Sequence, residues 1–301
     1  MSEIRFDGRV AVVTGAGGGL GREHALLLAS RGAQVVVNDL GGAPDGTGQG
    51  RTPADQVVEE IEAAGGTAVA NYDSVAKPAG GESIVRSALE NFGQVDIVIN
   101  NAGILRDKSL AKLSPEELEL VLDVHLKGAF YVSQPAFRAM KERGYGRLLF
   151  TTSAAGLFGN FGQSNYAAAK LGLVGLCRVL SLEGAKYEIR ANVIAPLART
   201  RMTEGLLGKL GERLDPAQVC GLAAYLVSEE CPLSHRVFSV GGGQIARVFI
   251  GLSEGWFAGR DRVPSVEEVR DHMDEILSTE EFIVPESVAD ETRRLVGLYR
   301  D

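Results

Sequence analysis

The sequence predicts an α/β fold: a seven-stranded parallel sheet with helices on both faces, plus a C-terminal helical extension. Three observations predict it. Short, valine-rich apolar runs alternate with helix-like segments along most of the chain. The first of these runs leads straight into a glycine-rich turn. Beyond Gln244 the alternation stops, and the remaining residues exceed what such a sheet requires. The 301 residues, 45% of them hydrophobic, suffice for one large core.

The strands read as Val10–Val13, Val35–Asn38, Thr67–Asn71, Val95–Asn100, Arg147–Thr152, Ala191–Ile194 and Val237–Val240. Helical patterns fill Arg22–Arg31, Val57–Ala64 and Ile84–Phe92. Ser114-Pro115-Glu116-Glu117 places an N-cap serine before a proline at the first helical position, with Glu three residues on. Ser265-Val266-Glu267-Glu268 repeats that capping box. Residues 1–245 form the main domain and 246–301 the extension, where Val266–Leu277 and Ser287–Tyr299 read as amphipathic helices. The extension packs on the same domain or on a dimer partner. Gly41–Gly50 carries five glycines and reads as a surface loop, either merely solvated or close to an adenosine.

Composition excludes several classes. A net charge of −8 disfavours nucleic-acid and membrane-surface binding. Three cysteines without a C-x-x-C spacing make neither a disulfide framework nor a zinc cluster. His24, His125, His235 and His272 lie far apart, so no metal site is expected. The N-terminus has no signal-peptide run and no stretch reaches membrane-spanning length without charges, so the expected location is cytoplasmic.

The glycine turn is Thr14-Gly15-Ala16-Gly17-Gly18-Gly19-Leu20-Gly21, between a strand and a helix. Glycines bring backbone amides close to a pyrophosphate at a helix N-terminus, where the dipole favours anions. Asp39 ends the next strand, where a carboxylate can accept hydrogen bonds from both ribose hydroxyls of NAD and repel the 2′-phosphate of NADP. Together they define a Rossmann-type, doubly wound domain for NAD(H). Further on, Tyr166 and Lys170 share one helix face at i and i+4.

The T-G-x-x-x-G-x-G spacing, Asn100-Asn101-Ala102-Gly103 after the fourth strand, and Ser153 upstream of Tyr166-Ala167-Ala168-Ala169-Lys170 resemble the short-chain dehydrogenases/reductases. The likeness covers Arg5 to Gln244. It implies that Gly15, Gly19, Leu20 and Gly21 cradle the cofactor and that Asn100 ties strands together. Ala102 and Gly103 would lie under the cofactor, and Asp73 would contact the adenine or else be an ordinary turn residue. Ser153 would orient the substrate oxygen and Tyr166 would take its proton. Lys170 would lower the phenol pKa from about 10 and hold the nicotinamide ribose. Pro196, after the sixth strand, would bind the cofactor, and Thr200, with Thr203 as the alternative, would meet the nicotinamide carboxamide. Leu197–Leu214 would form a mobile lid.

One departure stands out. Where many members have V-N-x-x-G, this chain reads Val124-His125-Leu126-Lys127-Gly128. His125 keeps a backbone carbonyl for the family's proton relay, and its imidazole is either a satisfied core group or a direct participant.

The stretches Val35–Gly42, Ala70–Val75, Asn100–Asp107, Val124–Gly128 and Gly159–Tyr166 are similar to one subgroup, the (3R)-hydroxyacyl-CoA dehydrogenase part of peroxisomal multifunctional enzyme type 2, also called 17β-hydroxysteroid dehydrogenase type 4. This implies NAD-dependent oxidation of a (3R)-3-hydroxyacyl-CoA, fatty or steroidal, supplied by a separate hydratase, in a homodimer or homotetramer. Arg106, Lys108, Arg199 and Arg201 would hold the CoA phosphates or stand as scattered solvated charges. The alternatives are a free-steroid 17β-hydroxysteroid dehydrogenase, a 3-oxoacyl-carrier-protein reductase, which Asp39 disfavours, and a non-catalytic nucleotide sensor, which the Ser153–Tyr166–Lys170 set disfavours.

Overall fold

A computed structural model of the chain describes residues 3–43, 45–48, 52–199 and 213–299. The first compact unit, Met1–Arg247, is built around one sheet. In chain order it runs β1 (Val10–Thr14), α1 (Gly19–Ser30), β2 (Gln34–Asn38), α2 (Thr52–Ala63), β3 (Thr67–Asn71), α3 (Pro78–Phe92) and β4 (Ile97–Asn100). It continues with α4 (Pro115–Leu122), α5 (Gly128–Arg143), β5 (Gly146–Thr151), α6 (Ala154–Phe158), α7 (Ser164–Gly184), β6 (Ile189–Pro196), α8 (Ala217–Val227), β7 (Val237–Gly241) and β8 (Gln244–Val248).

The strand order is β3-β2-β1-β4-β5-β6-β7-β8, and β1 to β7 pair in parallel. Every residue of β1, β4 and β5 is buried, because helices cover both faces. Leu28 of α1, Ile61 of α2 and Leu226 of α8 share a core with Val13, Val35 and Ile99 of the strands. α3, α5 and α7 cover the opposite face. The chain steps outward from β1 to β2 and β3, then crosses back to lay β4 on the other side of β1. The loops leaving β1 and β4 therefore diverge and open a crevice at the carboxyl ends of the strands.

The sheet has eight strands rather than the seven expected. Gly242 and Gly243 both have positive φ, +58° and +79°, which makes a two-residue hairpin turn and brings β8 back along β7. Most of β8 is exposed, so it carries no buried apolar run that a sequence pattern would show. A second feature also escaped the periodicity. Between α4 and α5, Asp123–Lys127 forms one π-helical turn in which Gly128 N bonds to Asp123 O. Such bulges expose local backbone and recur at functional sites.

The second compact unit is Val248–Asp301. It is not purely helical. Strands β9 (Leu252–Ser253) and β10 (Phe282–Ile283) pair antiparallel. The expected Val266–Leu277 helix is broken at His272 into α9 (Val266–Asp271) and α10 (Met273–Leu277), and α11 (Val288–Leu298) follows. At the break the His272 ring stacks on Trp256 with centroids 4.1 Å apart. Both capping boxes form as read: Ser114 Oγ accepts from Glu117 N, and Ser265 Oγ accepts from Glu268 N. No helix among the described residues is long and apolar enough to cross a membrane.

Candidate active site

The crevice is a cleft of about 310 Å³ in the first unit. Its floor explains the glycines. Gly15 sits at φ +64°, and a Cβ there would lie 2.8 Å from the Ala102 Cα. A Cβ on Gly21 would lie 2.2 Å from Gly15 O. Only glycine lets the β1 turn fold this closely onto the start of α1 and the β4 turn. Gly15, Gly19 and Leu20 line the cleft, while Gly21 is buried beneath the turn.

Asp39 closes one end. Its Oδ2 accepts from Gly17 N at 2.8 Å and its Oδ1 from Gly41 N at 2.7 Å. Two bonds leave a carboxylate with acceptor capacity for a diol. Asp73 lines the same end, with its Oδ2 bound by Asn71 Nδ2 at 3.1 Å. Asn38 joins this chain, donating to Asn71 Oδ1 at 2.9 Å and to Asp73 O at 2.9 Å. Gly42, Ala43 and Gly46 also line the cleft, so the loop after β2 stands at the cleft rather than apart from it.

After β4, the Asn100 amide donates to Ser133 Oγ on α5 at 3.1 Å, so it ties strand to helix. Its neighbour Asn101 lines the cleft and donates to Thr14 O and Gly15 O at 3.1 and 3.2 Å. Sequence reasoning singled out Asn100 but not Asn101. Ala102 and Gly103 line the cleft, and a Cβ on Gly103 would lie 2.4 Å from the His125 ring.

The other end gathers Ser153, Tyr166, Lys170, His125 and Pro196. Ser153 caps α6, accepting from Ala155 N at 3.2 Å. Lys170 is buried, and its Nζ donates to Thr151 O at 2.6 Å. Thr152 Oγ1 donates to Lys170 O at 2.6 Å, which locks α7 against the end of β5. Burial lowers the Lys170 ammonium to about 7. Burial raises the Tyr166 phenol; the Ser153 hydroxyl acts the other way, and Asp107 adds to the rise. The expectation was a phenol lowered by Lys170. The ammonium lies 5.6 Å from the ring centroid, and desolvation of the phenolate dominates.

His125 sits on the π turn and is buried edge-on to Tyr166, with centroids 5.1 Å apart. Its Nε2 lies 3.0 Å from Ile104 N and 2.8 Å from Ile104 O. Among the described residues its buried Nδ1 has no hydrogen-bond partner. Burial, with Lys170 nearby, holds its pKa well below the usual range, so the ring is neutral at physiological pH. Ile104, Leu120 and Val124 give this end an apolar wall.

Thr200, Thr203 and Arg201 lie outside the described residues, as does most of the expected lid, 200–212. Of the other three cations, Lys108 and Arg199 are exposed, and Arg106 is half-buried, its Nε without a hydrogen-bond partner among the described residues. Among the described residues no three His, Cys, Asp or Glu side chains converge as a metal site.

A doubly wound sheet with a glycine turn and a cleft at the carboxyl ends of its strands is the architecture of an oxidoreductase. The chain belongs to the short chain dehydrogenase family, whose pattern it matches over residues 9–208. It is 55% identical over 262 residues to a short-chain type dehydrogenase/reductase of Mycobacterium tuberculosis, covering 87% of this chain and 91% of that one. It is 47% identical over 297 residues to peroxisomal multifunctional enzyme type 2 of Mus musculus, covering 98% of this chain but 40% of the relative. The solved full-length enzyme of that name from Drosophila melanogaster superposes with a TM-score of 0.83 at 39% identity, over 98% of this chain and 50% of the other. The chain thus spans half or less of these multifunctional relatives.

Proposed function

We propose that the protein oxidises (3R)-3-hydroxyacyl-CoA, with a fatty or steroidal acyl group, to the 3-oxoacyl-CoA, using NAD. The observation that carries this is the placing of Ser153, Tyr166 and Lys170 at the end of a cleft whose far end is Asp39. The residues fit the cofactor: Gly15 and Gly21 have no room for a Cβ against Ala102 and the Gly15 carbonyl, so the turn packs tightly with Gly15, Gly18 and Gly19 lining the cleft where a pyrophosphate would lie, and Asp39 retains acceptor capacity for a ribose. NAD, when bound, supplies the hydride acceptor. Tyr166 accepts the substrate hydroxyl proton, Ser153 orients that hydroxyl, and Lys170 stabilises the phenolate and holds a ribose. The apolar wall of Ile104, Leu120 and Val124 receives the acyl chain. A hydratase reaction, adding water to an enoyl thioester, would supply the substrate. The peroxisomal name of the mouse relative is not shared by the cytoplasmic location read from the sequence.

Two measurements test this reading. The wild type is expected to favour NAD over NADP by at least about tenfold in kcat/KM, roughly 1.4 kcal/mol, and Asp39→Ala to narrow the gap. Equal kcat/KM for the two cofactors in the wild type would remove Asp39 from its role. A panel of 3-hydroxyacyl-CoA thioesters and free hydroxysteroids with NAD is expected to show turnover of the thioesters. Turnover of the steroids alone would favour the second reading, a free-steroid dehydrogenase, which the same apolar wall would also serve.

A further inference from the structure

Two buried carboxamides, Asn165 and Gln163, fasten one loop to the start of α7, and buried His125 ties the same loop to the π turn. The loop is residues 104–108, between β4 and α4. His125 Nε2 meets the backbone of Ile104. Asn165 is 1% exposed and stands immediately before Tyr166. Its amide donates to Arg106 O at 3.0 Å and to Glu117 O of α4 at 3.4 Å, and its Oδ1 accepts from Tyr166 N at 2.8 Å. Gln163, also buried, donates from Nε2 to Asp107 Oδ2 at 2.7 Å, and its Oε1 accepts from Asn160 Nδ2 at 2.9 Å. A short bridge pairs the backbones of Lys108 and Gln163. Burying two carboxamides costs free energy unless their hydrogen bonds are made. Those bonds are complete only with the loop seated on α7, so the loop and the helix start form one unit.

We propose that Asn165 and Gln163 are positioning residues that clamp loop 104–108 to the start of α7, fixing the Asp107 carboxylate and the Ile104 wall relative to the Tyr166 phenol. The inference rests on the reading of Tyr166 as the proton-transfer group. Gln163 holds the Asp107 carboxylate where the loop seats on the start of α7; an anion fixed there opposes phenol ionisation, adding to the burial that chiefly raises Tyr166. The other groups facing the phenol are neutral His125 from the π turn, Lys170 from its own helix and the Ser153 hydroxyl from the α6 cap. Arg106 and Lys108 flank Asp107 on the loop, and Glu117 of α4 meets Asn165 through its carbonyl. Removing the Asp107 charge should let Tyr166 ionise at lower pH.

The test compares Asp107→Asn, Gln163→Ala and Asn165→Ala in the full chain. Tyr166 ionisation is followed by phenolate ultraviolet absorbance, taken as the difference from Tyr166→Phe and so independent of turnover. Asp107 is exposed, so Asp107→Asn should fold normally. It should shift the titration and the acid limb of kcat/KM to lower pH by a few tenths of a unit, an effect that high salt suppresses. Gln163→Ala should shift them the same way. Asn165→Ala should lower kcat about tenfold per folded molecule, while the Kd for NADH stays within about twofold. The proposal is overturned if Asp107→Asn and Gln163→Ala leave the titration at its wild-type position, or if Asn165→Ala loses kcat only in proportion to unfolded protein. If no hydroxyacyl thioester is turned over but the titration still shifts, the clamp stands and the substrate assignment fails.

Discussion

Tyr166→Phe is expected to lower kcat by about 10²- to 10⁴-fold, the range for loss of a general acid–base group, while NAD still binds. The substitution keeps the ring, so the edge-on contact with His125 and the packing of Leu120 and Val124 survive. What disappears is the hydroxyl that Ser153 engages and that, in the proposed function, receives the substrate proton. Burial raises the phenol, so the protein alone leaves Tyr166 protonated at neutral pH. In the wild type kcat/KM for oxidation should therefore rise with pH, as the phenolate becomes populated. The variant should lose that limb together with its rate. Steady-state kinetics beside an NADH fluorescence titration make the comparison. Retention of a third of wild-type activity would show that another group takes the proton.

Lys170→Met should separate activity from stability. Loss of Lys170 should lower kcat by about 10²-fold, because in the proposed function it holds the nicotinamide ribose in place. The fold should not suffer in proportion. Burial takes Lys170 from its ordinary value of 10.5 down to about 7. Between those two pH values the unfolded chain carries a proton that the folded chain does not, so this residue makes stability rise with pH across that window. Below about 7 both states are protonated and the burial penalty is constant. Methionine removes the penalty, on the order of a few kcal/mol. Against this, Thr151 O loses its partner, at a cost of about 1–3 kcal/mol. The expected result is a Tm at pH 7 no lower than that of the wild type, and a flatter rise in stability from neutral to alkaline pH. A marked fall in Tm would mean that the lysine is a structural element first.

The residues that bear on chemistry were legible to different depths. Ser153, Tyr166 and Lys170 reach one end of the cleft, and Asp39 the other, because each sits at a strand end or on one helix face, positions that local spacing dictates. Asn101 and Asn165 left no comparable signal. The Asn101 amide reaches Thr14 across 87 positions and the Asn165 amide reaches Arg106 across 59, and a single amide carries no periodicity that would announce its partner. Asn165 has one clue, its place directly before Tyr166, but adjacency does not reveal that it holds a loop.

By itself the sequence determined the parallel strands β1 to β7, the glycine turn, the carboxylate after β2 and the i, i+4 pair on α7. Burial on both faces, tight turns and helix pitch are short-range requirements, and each writes a repeating residue pattern. The tertiary structure alone decided the eighth strand, the π turn that presents His125, the fastening of loop 104–108 and the sense of the Tyr166 and Lys170 shifts. These depend on which distant segments meet and on how much water they exclude. Desolvation sums over every neighbour a group acquires on folding, so it exists only once the chain has closed around the cleft.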